Sequence, residues 1–529
     1  MNSMFSKLPY GLLTDSYKLS HYRLYPDATK AVAYGEFRKP FDDQKDDQRI
    51  VFYGIRHIIE SYLCKQWTVK DVDTMEAFLA THRMGNTAYP FPKELFLKFI
   101  KENDGYFPIK VQALPEGSVV YPHVPVFQIT AEGEYAILVT YLESILCMCW
   151  YPSTVATLSR KVRTILEKGF EQSVDEENYG MISGMLNDFG FRGCACVEQS
   201  ILGGMAHLLN FDGTDNLPAA FCAQYEFNSG KPVGTTVPAT EHSVMTAHKT
   251  ELGALQRAIA EYGDGVMSCV MDSYDYARAL SELLPVVKEQ KLAKGGVLVI
   301  RPDSGDPVEA VLMALEAGEK VFGVQRNTKG YKVLNGCAVL QGDGISLYTV
   351  GDLVKAVLGA GYSIQNVAFG MGGGLLQKVH RDTMSFAVKI SSITYHDGKV
   401  RDIMKCPKSD SNKKSLPGCF AVLGSPDENN GAKCPPIVYH CDQQPDSSIQ
   451  PTPPSKEINK DQARDGADNI LRVVYDKGPV QGAWEGESFD KLRKRIRSQW
   501  DAFPPVHDAI SESLKRYQEQ IMADQENIG

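Results

Sequence analysis

Residues 338–374 read AVLQGDGISLYTVGDLVKAVLGAGYSIQNVAFGMGGG. The apolar run Ala338–Leu340 breaks at the polar loop Gln341-Gly342-Asp343-Gly344. Apolar residues at helical spacing then predict a helix over about 346–360, which Gly361 stops because glycine accepts the left-handed conformation of a helix C-terminus. A second apolar run, 364–369, predicts a strand that ends at Gly-Met-Gly-Gly-Gly (370–374). Strand, helix, strand in so short a span is the signature of a parallel sheet with crossover helices. Two more buried strands end the same way. Val266–Met271 runs into DSYD (272–275), and Val297–Ile300 into RPDSGDP (301–307). Loops after the C-termini of parallel strands carry the chemistry of barrels and open α/β sheets. Four such loops, holding Asp272, Arg301 with Asp303, Asp343 and the glycines 370–374, therefore point to one site.

Working outward, the α/β alternation occupies about 150–389. The stretch 1–149 contains KVQALPEGSVVYPHVPVFQIT (110–130), where proline and glycine punctuate alternating apolar residues, a pattern of antiparallel strands. Ala136–Trp150 is strongly apolar but only 15 residues long and contains Glu143. A membrane span needs about 20 residues, so a buried helix is expected there. Beyond 390, the segment 424–466 is rich in Pro, Ser, Gln, Asn and Asp and reads as a mobile insertion. Ordered pattern resumes at ILRVVYDKGPV (470–480). KLRKRIR (491–497) carries five basic residues and reads more readily as a solvated helix face than as an anion patch.

Composition narrows the function. The chain of 529 residues has 43% apolar and 23% charged residues, ordinary for a globular protein, and a net charge of −9. General attraction to nucleic acid or to an anionic membrane is not expected, so an anionic ligand must be held by local cations. Twelve cysteines without any CxxC pair exclude zinc-finger spacing, and with no basic-then-apolar leader at the start they suit a reducing, cytoplasmic setting.

The residue types in the strand-end loops suit phosphate and sugar. Arg301 offers a fork for phosphate oxygens and Asp303 an acceptor for sugar hydroxyls; the alternative is an Arg–Asp pair closing a turn. The glycines 370–374 let backbone N–H groups approach an anion, with Arg381 and Lys389 nearby; a tight left-handed turn would need the same glycines. They fit neither the dinucleotide fingerprint nor the P-loop. NDFGFRG (187–193) joins Phe189, able to stack on a flat ring, to Arg192, and FDGTD (211–215) supplies Asp215 as an amide acceptor; both segments also read as ordinary turns. In VPATEHS (237–243), Thr240 is expected to cap a helix. His242 then stands in the first turn, where the dipole disfavours a charged ring. TDSYK (14–18) brings Tyr17 and Lys18, or simply a helix capped by Thr14 or Asp15.

TDSYK, WYPSTVAT (150–157), DFGFRG, FDGTD, VPATEHS, MDSYD, IRPDSGDP, QGDG and AFGMGGGLLQKVHRD together resemble the nicotinamide phosphoribosyltransferases, NAD-salvage enzymes of the type II phosphoribosyltransferase family. The resemblance spans nearly the whole chain apart from about 424–466. It implies an irregular, TIM-like α/β barrel (150–389) packed against a β-rich domain built from N- and C-terminal segments (1–149 and 390–529). It also implies a homodimer with shared active sites. The implied reaction is pentosyl transfer: nicotinamide and 5-phosphoribosyl 1-pyrophosphate give nicotinamide mononucleotide and pyrophosphate, with Mg²⁺ and with ATP hydrolysis coupled through a phosphohistidine. On that resemblance His242 is the phosphorylated histidine. Phe189 and the other subunit's Tyr17 sandwich the pyridine ring, and Asp215 accepts from the carboxamide. Arg192 and Arg301 hold pyrophosphate or phosphate, and Asp303, Gly342 and Asp343 orient ribose. Gly372 and Gly373, with Arg381 and Lys389, bind the 5′-phosphate. Asp272 partners ribose or hydrated Mg²⁺, which has no direct protein ligand set. Lys405 and Lys413 reach the ATP phosphates. Asn187, Phe191 and Met371 stand where vertebrate members carry His, Tyr and Ser.

Two alternatives stand beside this reading. A nicotinate phosphoribosyltransferase would share the fold but needs a cation or neutral donor where Asp215 stands. A secreted, non-catalytic signalling protein would not need the full set of site residues.

Overall fold

The computed structural model describes residues 7–85, 87–407, 414–424, 434–441 and 469–528. The chain divides into two compact units, 155–380 with 488–490, and 1–154 with 381–487 and 491–529. Among the described residues, no helix is long and apolar enough to cross a membrane.

The 155–380 unit is built on a parallel five-stranded sheet. Its spatial order is Leu186–Asp188, Val367–Met371, Cys337–Gln341, Val297–Arg301 and Val266–Val270. Single parallel bridges continue the ring from both edges: Asp188 to Thr214, Gly213 to Thr235, and Ala239 to Ser268. The sheet thus closes as an irregular barrel. The segments near 213 and 235–239 contribute bridges rather than strands, in keeping with their Gly and Pro content. Leu298, Ile300, Val339, Val367 and Phe369 are buried at 0% exposure, so the barrel is a filled core and not a pore.

The deciding stretch folds nearly as its pattern predicts. Its helix runs Leu347–Gly359, started by Ser346 and Thr349 in a reciprocal cap, and Gly361 follows at φ +80°. The second strand starts later than expected, at Val367, because Ile364–Asn366 form a 3₁₀ turn. The side chain of Asp306 caps helix Pro307–Phe322 through the N–H groups of Val308 and Glu309, both at 3.0 Å.

The other unit carries a six-stranded antiparallel sheet ordered Val400–Asp402, Phe386–Tyr395, Ala28–Phe37, Pro125–Glu132, Ile109–Ala113, Arg472–Asp476. It interleaves N- and C-terminal strands. Trp67, Phe96, Phe99, Phe107 and Tyr141 form an aromatic cluster with centroids 5.3–6.2 Å from Trp67.

Four local expectations are corrected. The apolar run 136–150 is not one helix but short turns, Gly133–Leu138, Glu143–Leu146 and Cys147–Cys149, before helix Trp150–Ser173. The reason is tertiary: the Thr14 hydroxyl donates to the Tyr141 carbonyl, and the Tyr141 hydroxyl donates to the Gly11 carbonyl. Neither Thr14 nor Asp15 caps a helix, since the Asp15 carboxylate accepts from Ser144. Within 424–466, strand Ile437–His440 pairs with Phe420–Leu423, while 425–433 and 442–466 lie outside the described residues. In KLRKRIR, Arg495 is not solvated. It is 7% exposed and binds Glu487 through both carboxylate oxygens, at 2.8 and 2.9 Å.

The C-terminal helix Glu512–Ile528 is tied down through a buried carboxylate. Asp402 accepts from Tyr517 Oη at 2.7 Å and lies 2.9 Å from His440 Nε2. Burial pushes this carboxyl up, but the His440, Tyr517 and Ser392 hydrogen bonds outweigh it and hold it below the ordinary range. Its stabilising contribution is therefore present above the unfolded aspartate pKa and is lost as pH falls through the depressed folded value. Tyr517→Phe is expected to cost about 1.5–3 kcal/mol of unfolding free energy at neutral pH, the range for a hydrogen bond to a charged group. Chemical denaturation of the two chains measures it.

Candidate active site

The C-terminal edges of the barrel strands surround a cavity of about 620 Å³, a volume suited to a small-molecule ligand. Its lining includes Phe189, Arg192, Asp215, Arg301, Asp303, Gly342, Asp343, Gly372 and Gly373. These come from five separate loops, and the sequence points to every one of them.

Phe189 follows strand Leu186–Asp188, and its N–H donates to the Met371 carbonyl at 3.1 Å. Its ring lies 5.0 Å from the Arg301 guanidinium carbon, a cation–π contact. The Arg301 Nη2 is 3.4 Å from Asp303 Oδ1, and its buried Nε has no hydrogen-bond partner. Arginine and ring are thus held together with donor capacity to spare.

The glycines 370–374 divide into two kinds, and none has a positive φ. A β-carbon on Gly370 would lie 2.0 Å from Phe189 Cε2, and one on Gly374 would lie 2.4 Å from the Ile345 carbonyl oxygen. These two glycines serve packing, and Gly374 also reaches the cavity lining. Gly372 and Gly373 line the cavity, where helical turn Gly373–Leu376 begins and its first N–H groups lack intrahelical partners. The left-handed-turn alternative is therefore set aside.

His242 opens helix His242–Ala247, with Glu241 at the cap position. Thr240 does not cap; its hydroxyl accepts from Val270 N–H at 3.0 Å. The imidazole sits between two carboxylates, Nε2 at 3.1 Å from Asp272 Oδ1 and Nδ1 at 3.8 Å from Asp303 Oδ2. Asp272 is 3% exposed, and its other oxygen accepts from Asp303 N–H at 2.9 Å and from the Ser304 hydroxyl at 2.5 Å. It stands behind His242, with one oxygen on the imidazole and the other on the turn at Asp303 and Ser304.

Asp215 is exposed at the cavity wall, and Thr236 Oγ donates to its Oδ1 at 2.7 Å. One carboxylate oxygen is thereby engaged, and the other has no partner among the described residues. Sequence reasoning misses Thr236, Asp188, Glu241 and Lys378 as site residues, although Asp188, Glu241 and Lys378 line the cavity. Asp188 is legible there only as part of a turn. Burial pushes its carboxyl up to about 6 against the pull of the Gly190 N–H and the Asn216 amide. Asn187 turns away from the cavity lining, its Nδ2 donating to the Gly184 and Phe369 carbonyls at 3.2 and 3.3 Å.

The remaining expected residues form a second cluster in the antiparallel unit. Tyr17 is 52% exposed, and Lys18 is 2.9 Å from Glu143. Burial, then Asp15 and Glu143, raise the Tyr17 hydroxyl pKa, and Arg381 opposes them. Lys389 is lowered first by burial, then by the neighbouring Arg38 and Lys405 cations. Arg38, which the sequence conceals at the end of a strand, thus joins Lys389 and Lys405. Lys405 and Ser415 close the base of their loop, with Ser415 N–H to Lys405 O at 3.0 Å and Lys405 N–H to Ser415 Oγ at 2.8 Å. Lys413 lies outside the described residues.

Among the described residues, no group of three or more His, Cys, Asp or Glu is placed to hold a metal ion. The cavity does offer Asp303 and Asp343 beside Arg301. That set suits Mg²⁺ arriving on a pyrophosphate, since this ion uses one or two carboxylates plus phosphate oxygens.

Comparison with known proteins assigns the chain to a family. The model of the nicotinate phosphoribosyltransferase (NAPRTase) family matches residues 185–450, and that of the nicotinamide phosphoribosyltransferase N-terminal domain matches residues 10–111. A nicotinamide phosphoribosyltransferase of Xanthomonas campestris pv. campestris is 39% identical over 420 residues, 78% of this chain and 87% of that one. One of Acinetobacter baylyi is 31% identical over 448 residues, 78% and 88% of the two chains. The crystal structure of human nicotinic acid phosphoribosyltransferase superposes with a TM-score of 0.58 at 17% identity, covering 96% of this chain and 100% of that one. The nicotinate-nucleotide pyrophosphorylase of Pyrococcus furiosus gives 0.56 at 14% identity, covering 96% and 98%. These two show the shared fold. On its family match and its 39% identical relative, this chain belongs to the nicotinate phosphoribosyltransferase family of pentosyltransferases, in the branch that bears the name nicotinamide phosphoribosyltransferase.

Proposed function

We propose that this chain condenses nicotinamide with 5-phosphoribosyl 1-pyrophosphate to give nicotinamide mononucleotide and pyrophosphate, as a salvage step toward NAD. The observation that carries this reading is Asp215. It shares one cavity with an aromatic ring and two arginines, and Thr236 occupies only one of its oxygens. A flat ring on Phe189 presents its carboxamide N–H to the other oxygen. A nicotinate carboxylate there would meet a like charge, so the same residue selects amide over acid.

Transfer at the ribosyl carbon develops positive charge on the sugar and negative charge on the departing pyrophosphate. Catalysis then rests on positioning and on neutralising the leaving group. Arg192 and Arg301 take the pyrophosphate charge, and Asp303, Gly342 and Asp343 orient the ribose. The N–H groups at Gly372 and Gly373 take the 5′-phosphate, together with Arg381 and Lys389 of a second copy of the chain. Mg²⁺, when bound, supplies further neutralisation of the pyrophosphate. ATP is the coupled co-substrate. With Nε2–H donating to Asp272, the lone pair of His242 is on Nδ1, which is the atom to accept the phosphoryl group. Lys405 and Lys413 steer the triphosphate.

The test is direct. Purified chain with phosphoribosyl pyrophosphate, Mg²⁺ and ATP receives nicotinamide or nicotinate in parallel, and mononucleotide is followed by mass. Nicotinamide mononucleotide as the product is expected. Nicotinate mononucleotide as the main product overturns the role given to Asp215, and no product from folded chain overturns the activity.

A further inference from the structure

We propose that Asp188 is a positioning residue that holds Phe189 and Asp215, the pair that recognises the base, in register with each other. The proposal rests on the reading of that pair given above. Asp188 is 0% exposed and makes four hydrogen bonds, three of them to the Asp215 loop. Its N–H donates to the Gly213 carbonyl at 3.2 Å, and its own carbonyl accepts from Asp215 N–H at 3.0 Å. Its Oδ1 accepts from Gly190 N–H at 2.7 Å, which closes the turn around Phe189. Its Oδ2 accepts from Asn216 Nδ2 at 3.0 Å. Asn216 is also 0% exposed, directly follows Asp215, and starts helix Leu217–Tyr225. One carboxylate thus fastens the residue after the aromatic to the residue after the amide acceptor.

The surroundings are shaped for this pair. Helix Val197–Leu208 passes it with Gly204, where a β-carbon would lie 2.6 Å from Asn216 Nδ2 and 3.0 Å from Asp188 Oδ2. The Gly213 carbonyl, held by Asp188 N–H, also lies 3.0 Å from Nε2 of the buried His207. Two donors converge on the Asp188 side chain, so only an acceptor at both oxygens satisfies them. An asparagine there must turn an NH₂ toward one donor.

The experiment compares the full chain with Asp188→Asn and with Asn216→Ser. The serine removes the amide that donates to Asp188 Oδ2 and to the Ser200 carbonyl, and keeps a hydroxyl for the helix cap. KM for nicotinamide, KM for phosphoribosyl pyrophosphate, kcat and Tm are measured for each. Each variant is expected to raise the nicotinamide KM about tenfold, with the phosphoribosyl pyrophosphate KM changed less than about threefold. Two outcomes overturn the proposal: a nicotinamide KM unchanged in either folded variant, or equal rises in both KM values. If Asp188→Asn does not fold, Asn216→Ser alone decides, and an unchanged nicotinamide KM in it overturns the proposal. An unmodified chain that makes no nicotinamide mononucleotide refutes the assigned reaction instead, so the two failures are told apart.

Discussion

Gly370→Ala is expected to lower kcat/KM for nicotinamide by about 100-fold, the scale set by ångström-sized displacement of a positioning group. The added methyl would stand 2.0 Å from Cε2 of Phe189 and 2.3 Å from its Cδ2. No contact between carbon atoms survives at that distance. The strand backbone is fixed by its parallel neighbours at residues 186–188 and 339–341, so the ring must move, out of the plane on which the base stacks. Overpacking of this kind also costs about 1–3 kcal/mol of stability, which a Tm measurement registers separately. The double variant with Phe189→Ala isolates the cause. Once the ring is gone, the methyl has little to displace, and Gly370→Ala should add almost nothing to Phe189→Ala. Full additivity of the two effects would show that the glycine acts through something other than the ring.

The second large effect belongs to Asp215. Asp215→Asn keeps an oxygen for the Thr236 hydroxyl but turns an NH₂ toward the carboxamide NH₂ of the base. A charge-assisted hydrogen bond is replaced by two opposed donors. The loss of about 1.5–3 kcal/mol corresponds to about 10–150-fold in kcat/KM for nicotinamide. The same change removes the charge that repels nicotinate, so the ratio of nicotinate to nicotinamide use should rise by more than the nicotinamide loss alone. Parallel kinetics with both bases measure it. Unchanged nicotinamide kinetics would mean that Asp215 does not touch the base.

Much of the site could be read before any coordinates. Parallel strands end in polar loops, and the periodicity of 338–374 announces two of those strands and the helix between them. Residues at successive strand ends must then meet at one edge of the sheet, which is why Phe189, Arg301, Asp303, Gly342, Asp343, Gly372 and Gly373 share one cavity. Periodicity carries no information on which side chain answers which. The Thr236 hydroxyl on Asp215, Asp272 at the back of His242, and the bond from Asn216 to Asp188 pair residues 21, 30 and 28 positions apart. The division of the glycines is of the same kind. In the linear chain, Gly370 and Gly372 look alike, and only the packed ring of Phe189 makes one a matter of volume, while the other lines the cavity. Local pattern sets which elements form and in which order they alternate. Long-range packing and hydrogen bonding, which join residues far apart in sequence, set where the barrel closes, which apolar run is diverted from a helix, and which carboxylate is buried.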